Sequence, residues 1–200
     1  MTDRARHASF IYLSQIINLP VVDANSVSIG RLYDVVADVH GMYPKINALI
    51  VRQGFRKKLL YYPWKYIENI LEDRLVVLDE ADHPTEPFKL SASELRLRET
   101  FWDKQIVDIA GSKVVRVNDL HILKDGIKLW LVHVDVGFKG LLRRLGWLRF
   151  FNSAVKWLFA YELKDKFISW KFVQPITAAG DFKTLSLRVP SSKLSQLHPA

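Results

Sequence analysis

The feature that most constrains the fold of this chain is an internal repeat. Residues 20–35 align with residues 105–120 at a constant offset of 85. A second block, 48–55, recurs at 131–138, and a third block follows later in both halves. The matching charged positions are Asp23/Asp108, Arg31/Arg116 and Asp34/Asp119. The third block is 62–67, which recurs at 168–173. Three blocks in the same order indicate two diverged copies of one unit.

The repeated blocks predict short antiparallel strands. They contain β-branched and apolar runs interrupted by Gly, Asp or Asn, and the connections 24–26 and 110–112 suit tight turns. An acidic, proline-containing segment separates the copies, with a boundary near Glu86, and this composition is typical of a linker. The sequence therefore predicts a mainly β fold with two tandem small β-barrels, in the domains 1–86 and 87–180.

The second copy contains an insertion that the first copy lacks. The offset between the copies rises from 83 to 106 across it, and apolar residues within it recur every three or four positions, which predicts helix near residues 139–163. Between residues 139 and 166 the sequence has seven basic and two acidic side chains, interleaved with aromatic residues. Basic amphipathic segments of this kind lie on anionic membrane surfaces or pack into a partner's groove.

The side chains that we expect to make this contact with a partner or membrane are Arg143, Arg144, Trp147, Arg149 and Phe150. The number of large apolar side chains in 140–160 exceeds what one helix face can present to a barrel, so we expect part of that face to remain uncovered. The alternative is that the aromatic face covers the barrel of its own copy and the basic face is solvated. The last segment, 181–200, is predicted to be a strand or linker that leads into a helical domain.

Two further residue pairs occupy equivalent positions in the copies. Trp64 and Trp170 are each followed by Lys and an aromatic residue, and we interpret them as packing residues of the fold rather than a ligand box. Asp34 and Asp119 stand between strands, where a turn or hydrogen bonds to backbone amides explain them better than a metal site. All four are therefore predicted to be structural residues of the repeat.

Catalytic and cofactor motifs are absent from the sequence. The chain has no cysteine, which excludes disulfides, thiolate metal sites and a Cys nucleophile. It also lacks G-x-S-x-G, H-E-x-x-H and a Gly-rich phosphate loop. His133 and Asp135 stand two apart on a predicted strand, but two side chains make an incomplete metal shell, so we favour a polar strand face. We expect no enzymatic activity, no metal and no cofactor.

The repeated pattern resembles a known family of small barrels. Its elements are Val-Val-Asp at 21–23, Ile-Gly-Arg-Leu-x-Asp-Val at 29–35, a Leu-Ile-Val strand at 49–51 and Pro-Trp-x-x-Ile at 63–67. This pattern is similar to the PRC-barrel domain, known from the photosynthetic reaction-centre H subunit and a bacterial ribosome-maturation factor. The resemblance covers about residues 10–80 and again 95–178, and it implies a non-catalytic β-barrel module.

A second resemblance concerns the setting of the chain. Residues 103–108, 114–119, 134–146 and the terminal string 197–200 (Leu-His-Pro-Ala) resemble bacterial proteins that carry PRC-barrels ahead of the intracellular N-domain and CBS domains of MgtE-type magnesium transporters. In that family the Leu-His-Pro-Ala string opens the helical N-domain. The resemblance therefore implies that such a domain begins where this sequence ends.

Together these observations predict an interaction or regulatory module that is either free in the cytoplasm or peripheral to a membrane, and the second resemblance implies an association with magnesium transport. The charged N-terminus lacks the apolar stretch of a signal peptide, so we do not expect export. The expected partners are a protein, the chain's own C-terminal domains, an anionic membrane surface or a second copy of the chain. The alternative, which the resemblance to the ribosome-maturation factor implies, is a ribosome- or RNA-associated adaptor. The net charge of +8 is compatible with it, but the chain lacks a known nucleic-acid-reading motif.

Overall fold

The residues that the computed structural model describes are 8–54, 58–77, 89–137 and 166–175. Strands make up most of them, and the helices among them contain only three to five residues. The prediction of a mainly β fold is therefore confirmed. The predicted helical insertion near 139–163 and the segment 181–200 lie outside the described residues.

The first copy of the repeat begins with a strand and a single helical turn and continues as a series of strands. A short 3-10 helix follows the fifth strand. The elements are β1 (Ser9–Tyr12), α1 (Leu13–Ile16), β2 (Pro20–Val22), β3 (Ser28–Asp38), β4 (Lys45–Gln53), β5 (Lys58–Pro63), the 3-10 helix Trp64–Tyr66, β6 (Ile67–Ile70) and β7 (Leu75–Val77).

The second copy presents the same kinds of element in the same order. Its counterpart of the long strand β3 is divided into two strands, because residues 117 and 118 leave the strand conformation. The elements are β8 (Glu94–Arg96), α2 (Leu97–Phe101), β9 (Gln105–Asp108), β10 (Lys113–Arg116), β11 (Asp119–Asp125), β12 (Lys128–Asp135), β13 (Phe167–Ser169), the 3-10 helix Trp170–Phe172 and β14 (Val173–Pro175).

The chain divides into two compact units, and the first comprises residues 1–100 and 120–132. Its sheet has the strand order β1-β11-β12-β4-β3-β2-β7-β6, and β5 pairs with β4 and β8 pairs with β3. The antiparallel pair β3 and β4 forms its centre, and most of its apolar side chains, such as those of Val35, Leu49 and Ile50, are fully buried. Continuous apolar runs of this length are typical of fully buried strands.

The second unit comprises residues 101–119 and 133–200, of which part is described. Strand β9 pairs on one side with β10 and on the other with β14, and β13 pairs with the His133–Asp135 end of β12. Phe101 is fully buried and meets the ring of Trp170 edge-on, with ring centroids 5.2 Å apart. This geometry is favourable for two aromatic rings and anchors α2 to the second 3-10 helix.

The units do not coincide with the two copies of the sequence. Residues 120–132 belong to the second copy by sequence but pack in the first unit, where β1 pairs with β11 and β8 pairs with β3. The division into two tandem barrels is therefore not confirmed, although a curled sheet of the barrel type is present in the first unit. The boundary near residue 86 stays a prediction, since that position lies outside the described residues.

Candidate interaction site

A β-bulge in β3 places Tyr33 beside several arginines. In the pairing of β3 with β4, Leu32 stands opposite Val51 and Asp34 opposite Ile50, so Tyr33 is the extra residue of the bulge. Its side chain packs against the buried cluster Val36, Ala48 and Ile50 and remains partly exposed. Bulges re-aim side chains, and they are frequent next to functional sites.

Three guanidinium groups surround the Tyr33 ring. The Cζ atom of Arg98 lies 4.7 Å from the ring centroid, that of Arg52 lies 5.6 Å away and that of Arg96 lies 5.8 Å away. The Nη1 of Arg98 also donates a hydrogen bond of 2.9 Å to the carbonyl oxygen of Tyr33. A cation above an aromatic face is attracted by the ring quadrupole. These four residues form what we call the Tyr33 face.

Asp34 holds the segment that supplies two of these arginines. Its carboxylate is fully buried and accepts hydrogen bonds from the backbone amides of Arg98 (2.7 Å), Val35 (2.8 Å) and Glu99 (3.1 Å). The first and third of these amides lie at the start of α2, where unpaired N–H groups need an acceptor. Asp34 therefore caps α2 from another strand.

The charge of Asp34 is partly balanced by Arg96. The Arg96 Nε lies 3.6 Å from Asp34 Oδ2, and the Arg96 Nη1 contacts the carboxylate of Glu99. Burial raises the pKa of the Asp34 carboxyl above its ordinary value, while the amides of Arg98, Val35 and Glu99 act in the opposite direction. Asp34 is therefore a structural group that positions Arg96 and Arg98.

A second pair of arginines stands directly opposite across β3 and β4. Arg31 and Arg52 are register partners, so their side chains lie on one face of the sheet. Both line a pocket of about 360 Å³ whose other walls are Pro20, Ser28, Gly30 and Gly54. The Arg31 Nη1 donates to the carbonyl oxygen of Asn18 at 2.9 Å. Among the described residues, neither Arg31 nor Arg52 has a carboxylate within salt-bridge distance.

The other residues singled out in the sequence differ in burial, and five of them lie outside the described residues. Trp170 is 5% exposed and Trp64 is half-buried, and each begins the 3-10 helix of its own copy. The indole Nε1 of Trp64 is buried without an acceptor among the described residues. Asp119 is fully buried. The five residues expected to contact a partner, Arg143, Arg144, Trp147, Arg149 and Phe150, lie outside the described residues, so that expectation stays a prediction.

His133 and Asp135 on β12 make contacts within the fold. Asp135 is fully buried and its Oδ1 accepts a hydrogen bond of 2.9 Å from the amide of Gly137. The His133 ring lies 5.9 Å from that of Phe167, and burial lowers the pKa of His133.

Within the described parts of the chain, no three His, Cys, Asp or Glu side chains are grouped as metal ligands. No helix in those parts has the length and hydropathy needed to cross a bilayer.

Sequence reasoning missed the Tyr33 face. Arg96 and Arg98 come from the start of the second copy, and they meet Tyr33 only because β8 pairs with β3. A partial signal existed for Arg31 and Arg52, because both lie in blocks that are predicted to form short antiparallel strands, and pairing of those two strands places the residues on one face. The bulge at Tyr33 shifts the register, and no local pattern indicates it.

Comparison with known protein families found a match for the first part of the chain. No curated protein matches the chain. The model of the family described as PRC-barrel domain matches residues 8–83, which contain β1 to β7, the bulge and the Arg31–Arg52 pair. The match covers the first copy of the repeat and less than half of the chain. Residues 8–83 of this chain are therefore a PRC-barrel domain.

Proposed function

We propose that this chain is a non-catalytic interaction module whose PRC-barrel domain docks an acidic segment of a protein partner on the Tyr33 face. The observation that carries the proposal is the grouping of Arg52, Arg96 and Arg98 around one partly exposed tyrosine. Tyrosine and arginine are the residue types enriched at the energetic centres of protein interfaces. The planar guanidinium fork also matches a carboxylate with two hydrogen bonds.

The arrangement favours a protein over single-stranded RNA. Readers of single strands stack bases on open aromatic faces. Guanidinium groups already surround the Tyr33 ring, and the side chain packs against Val36, Ala48 and Ile50. A base would have to displace these contacts before it could stack. The ribosome- or RNA-associated role is therefore the second reading, and the binding experiment below separates the two.

The test is fluorescence anisotropy with a labelled peptide of alternating glutamate and leucine residues. We expect the wild-type chain to bind it and Arg52→Glu to abolish the binding, because the new carboxylate repels the ligand. Lys128→Glu is the matched control, since Lys128 is exposed at the start of β12 and carries the same charge change. Tighter binding of a labelled single-stranded RNA than of the peptide, also lost in Arg52→Glu, would overturn the proposal in favour of the RNA reading.

The wider setting that we propose is a cytoplasmic regulatory part of a magnesium-transporter-type protein, with N and CBS domains following the PRC-barrels. Its support is the resemblance of residues 103–108, 134–146 and 197–200 to that family. The repeat supports two PRC-barrel copies within this setting. Reading the coding sequence beyond Ala200 tests it, and an open reading frame that continues into any other kind of domain would contradict it.

The insertion supplies a second surface in this proposal. Its basic and aromatic residues would bind an anionic membrane or a second copy of the chain, with Trp147 and Phe150 in contact. Co-sedimentation with phosphatidylserine vesicles and sizing by light scattering measure both outcomes. A strictly monomeric chain that stays in the supernatant would contradict this surface and leave the insertion as a cover for its own barrel.

A further inference from the structure

The pocket between Arg31 and Arg52 concentrates positive charge, and no carboxylate of the described residues forms an ion pair with either arginine. Like charges directly opposite each other on paired strands are destabilising, and carboxylate partners are missing for both arginines among the described residues. Arg31 is held in place by the carbonyl oxygen of Asn18, and Arg52 lies toward the Tyr33 ring. Two guanidinium groups that line one pocket, one of them bonded to a backbone carbonyl, can bind an anion through charge-assisted hydrogen bonds.

Two glycines keep the pocket open. A Cβ at position 30 would lie 2.5 Å from the carbonyl oxygen of Arg52, so only glycine allows β3 and β4 to approach this closely here. Gly54 has a φ of 58°, a conformation that residues with side chains rarely adopt, and it directly follows β4 and lines the same pocket. Ser28 adds a hydroxyl to the wall. The walls are thus small or polar around two fixed cations.

The second copy provides an internal contrast. The counterpart of Arg31 is Arg116, whose Nη2 bonds the carboxylate of Asp103 at 3.0 Å. The position equivalent to Arg52, at the offset of 83, is the buried Asp135. The first difference gives the arginine a carboxylate partner, and the second places a carboxylate where the first copy has a cation. The charge of the Arg31–Arg52 pocket is therefore particular to the PRC-barrel domain at residues 8–83 and does not follow from the repeat.

We propose that the Arg31–Arg52 pocket binds the phosphoryl group of a phosphorylated residue in the acidic partner segment. A phosphate monoester carries nearly two negative charges and three acceptor oxygens, enough for both guanidinium forks, whereas one carboxylate saturates a single fork. Arg52 also borders the Tyr33 ring, so a peptide anchored in the pocket continues onto the Tyr33 face. The proposal rests on the docking function above and names the anchor of the docked segment.

The experiment compares the acidic peptide with the same peptide carrying one phosphoserine, again by anisotropy. We expect the phosphate to raise affinity at least about ten-fold, and Arg31→Gln to remove that gain. Arg31→Lys should restore only part of it, because an ammonium keeps the charge but lacks the fork. Arg116→Gln is the matched control in the second copy and should leave the gain unchanged. A gain that survives Arg31→Gln would overturn the proposal.

A second probe separates this proposal from the docking function. Inorganic phosphate, titrated into the ¹⁵N-labelled chain, should shift the amide signals of Ser28, Gly30 and Gly54 in the wild type and not in Arg31→Gln. Shifts without any peptide binding would support the pocket and contradict the docking function. Equal binding of both peptides, without phosphate shifts, would support docking and contradict the pocket. Phosphatidylinositol-phosphate vesicles that bind more tightly than the phosphopeptide through Arg31 would overturn the assignment to a peptide.

Discussion

The two copies of the repeat have the same backbone around an arginine and different charges around its guanidinium. In the first copy the amide of Asn18 donates to the carbonyl of Leu32, whose own amide donates to the carbonyl of Leu19. In the second copy the amide of Asp103 donates to the carbonyl of Val117. The amide of Val117 in turn donates to the carbonyl of Lys104, which is the counterpart of Leu19. The residue that starts each pattern has a left-handed backbone, with φ of 68° and 61°.

On this shared backbone, the two arginine side chains have different bonding partners. Arg31 bonds a neutral carbonyl and faces Arg52 across the strands, whereas Arg116 bonds the carboxylate of Asp103. The hydrogen-bond pattern is therefore a requirement of the fold, because it is present with and without the carboxylate. Among the described residues, a carboxylate partner is present for Arg116 and absent for its counterpart Arg31. The contrast separates what holds the chain together from what it can bind.

The largest expected effect concerns the paired tryptophans. Trp170→Ala should reduce the free energy of unfolding by about 3–5 kcal/mol, because the ring is nearly fully buried and packs edge-on against Phe101. Trp64→Ala should cost less, about 2 kcal/mol, because Trp64 is half-buried and its Nε1 lacks an acceptor among the described residues. Urea denaturation of both variants measures the difference. Equal losses would show that the two copies use their tryptophans alike.

The next effect concerns the cap that Asp34 provides for α2. Asp34→Ala leaves the amides of Val35, Arg98 and Glu99 without their acceptor, and we expect a loss of about 3 kcal/mol in the free energy of unfolding. It should also weaken acidic-peptide binding, since Arg96 and Arg98 lose their position. Glu72→Ala, on an exposed turn, is the control. A stable variant with unchanged peptide affinity would contradict the positioning role.

The pH dependence of stability tests the same carboxyl. The folded-state pKa of Asp34 is raised, so the folded protein binds the proton more tightly than the unfolded chain. The stabilisation from this proton is fully present below the unfolded pKa of about 4 and is lost as pH rises through the folded pKa. The difference in unfolding free energy between wild type and Asp34→Asn should therefore shift against the wild type as pH rises above about 4. A difference that is independent of pH would contradict it.

The sequence predicted local elements of this fold better than the contacts between them. The offset of 106 placed Trp64 and Trp170 at equivalent positions, and both do begin a 3-10 helix. The positions of local elements can be predicted because they depend on turn residues and β-branched runs that lie within a few residues of each other. The Tyr33 face was not predictable in this way, since it depends on the pairing of β8 with β3 and on a bulge. Pairing between distant strands leaves no periodic trace in either strand.

A smaller effect is expected when the first copy is given the carboxylate of the second. Asn18→Asp places a carboxylate at the position that Asp103 occupies in the second copy. The left-handed backbone at this position tolerates aspartate, since Asp103 has the same conformation. The new carboxylate should pair with Arg31 and lower the affinity for the phosphopeptide about ten-fold, with little change in stability. The anisotropy assay measures it. Unchanged affinity would mean that Arg31 is not the phosphate ligand.

The smallest effect is expected when the second copy loses its carboxylate. Asp103→Asn removes the partner of Arg116, but the pair is solvent-exposed, with 65% of the Arg116 side chain and 44% of the Asp103 side chain accessible. Exposed ion pairs contribute little, so the free energy of unfolding should change by less than about 1 kcal/mol, and less still at high salt. Urea denaturation at low and high salt measures both quantities.

Asp103→Asn also tests whether an uncompensated arginine is sufficient to bind phosphate. The variant leaves Arg116 without its carboxylate partner, but the position that corresponds to Arg52 holds the buried Asp135, which contributes a carboxylate where the first copy has a cation. Phosphate binding in the proposed pocket requires two guanidinium groups, so inorganic phosphate should leave the amide signals of residues 113–116 unshifted in this variant. Shifts there would show that one arginine beside this turn is enough. The contrast between the copies would then depend on Asp103 alone.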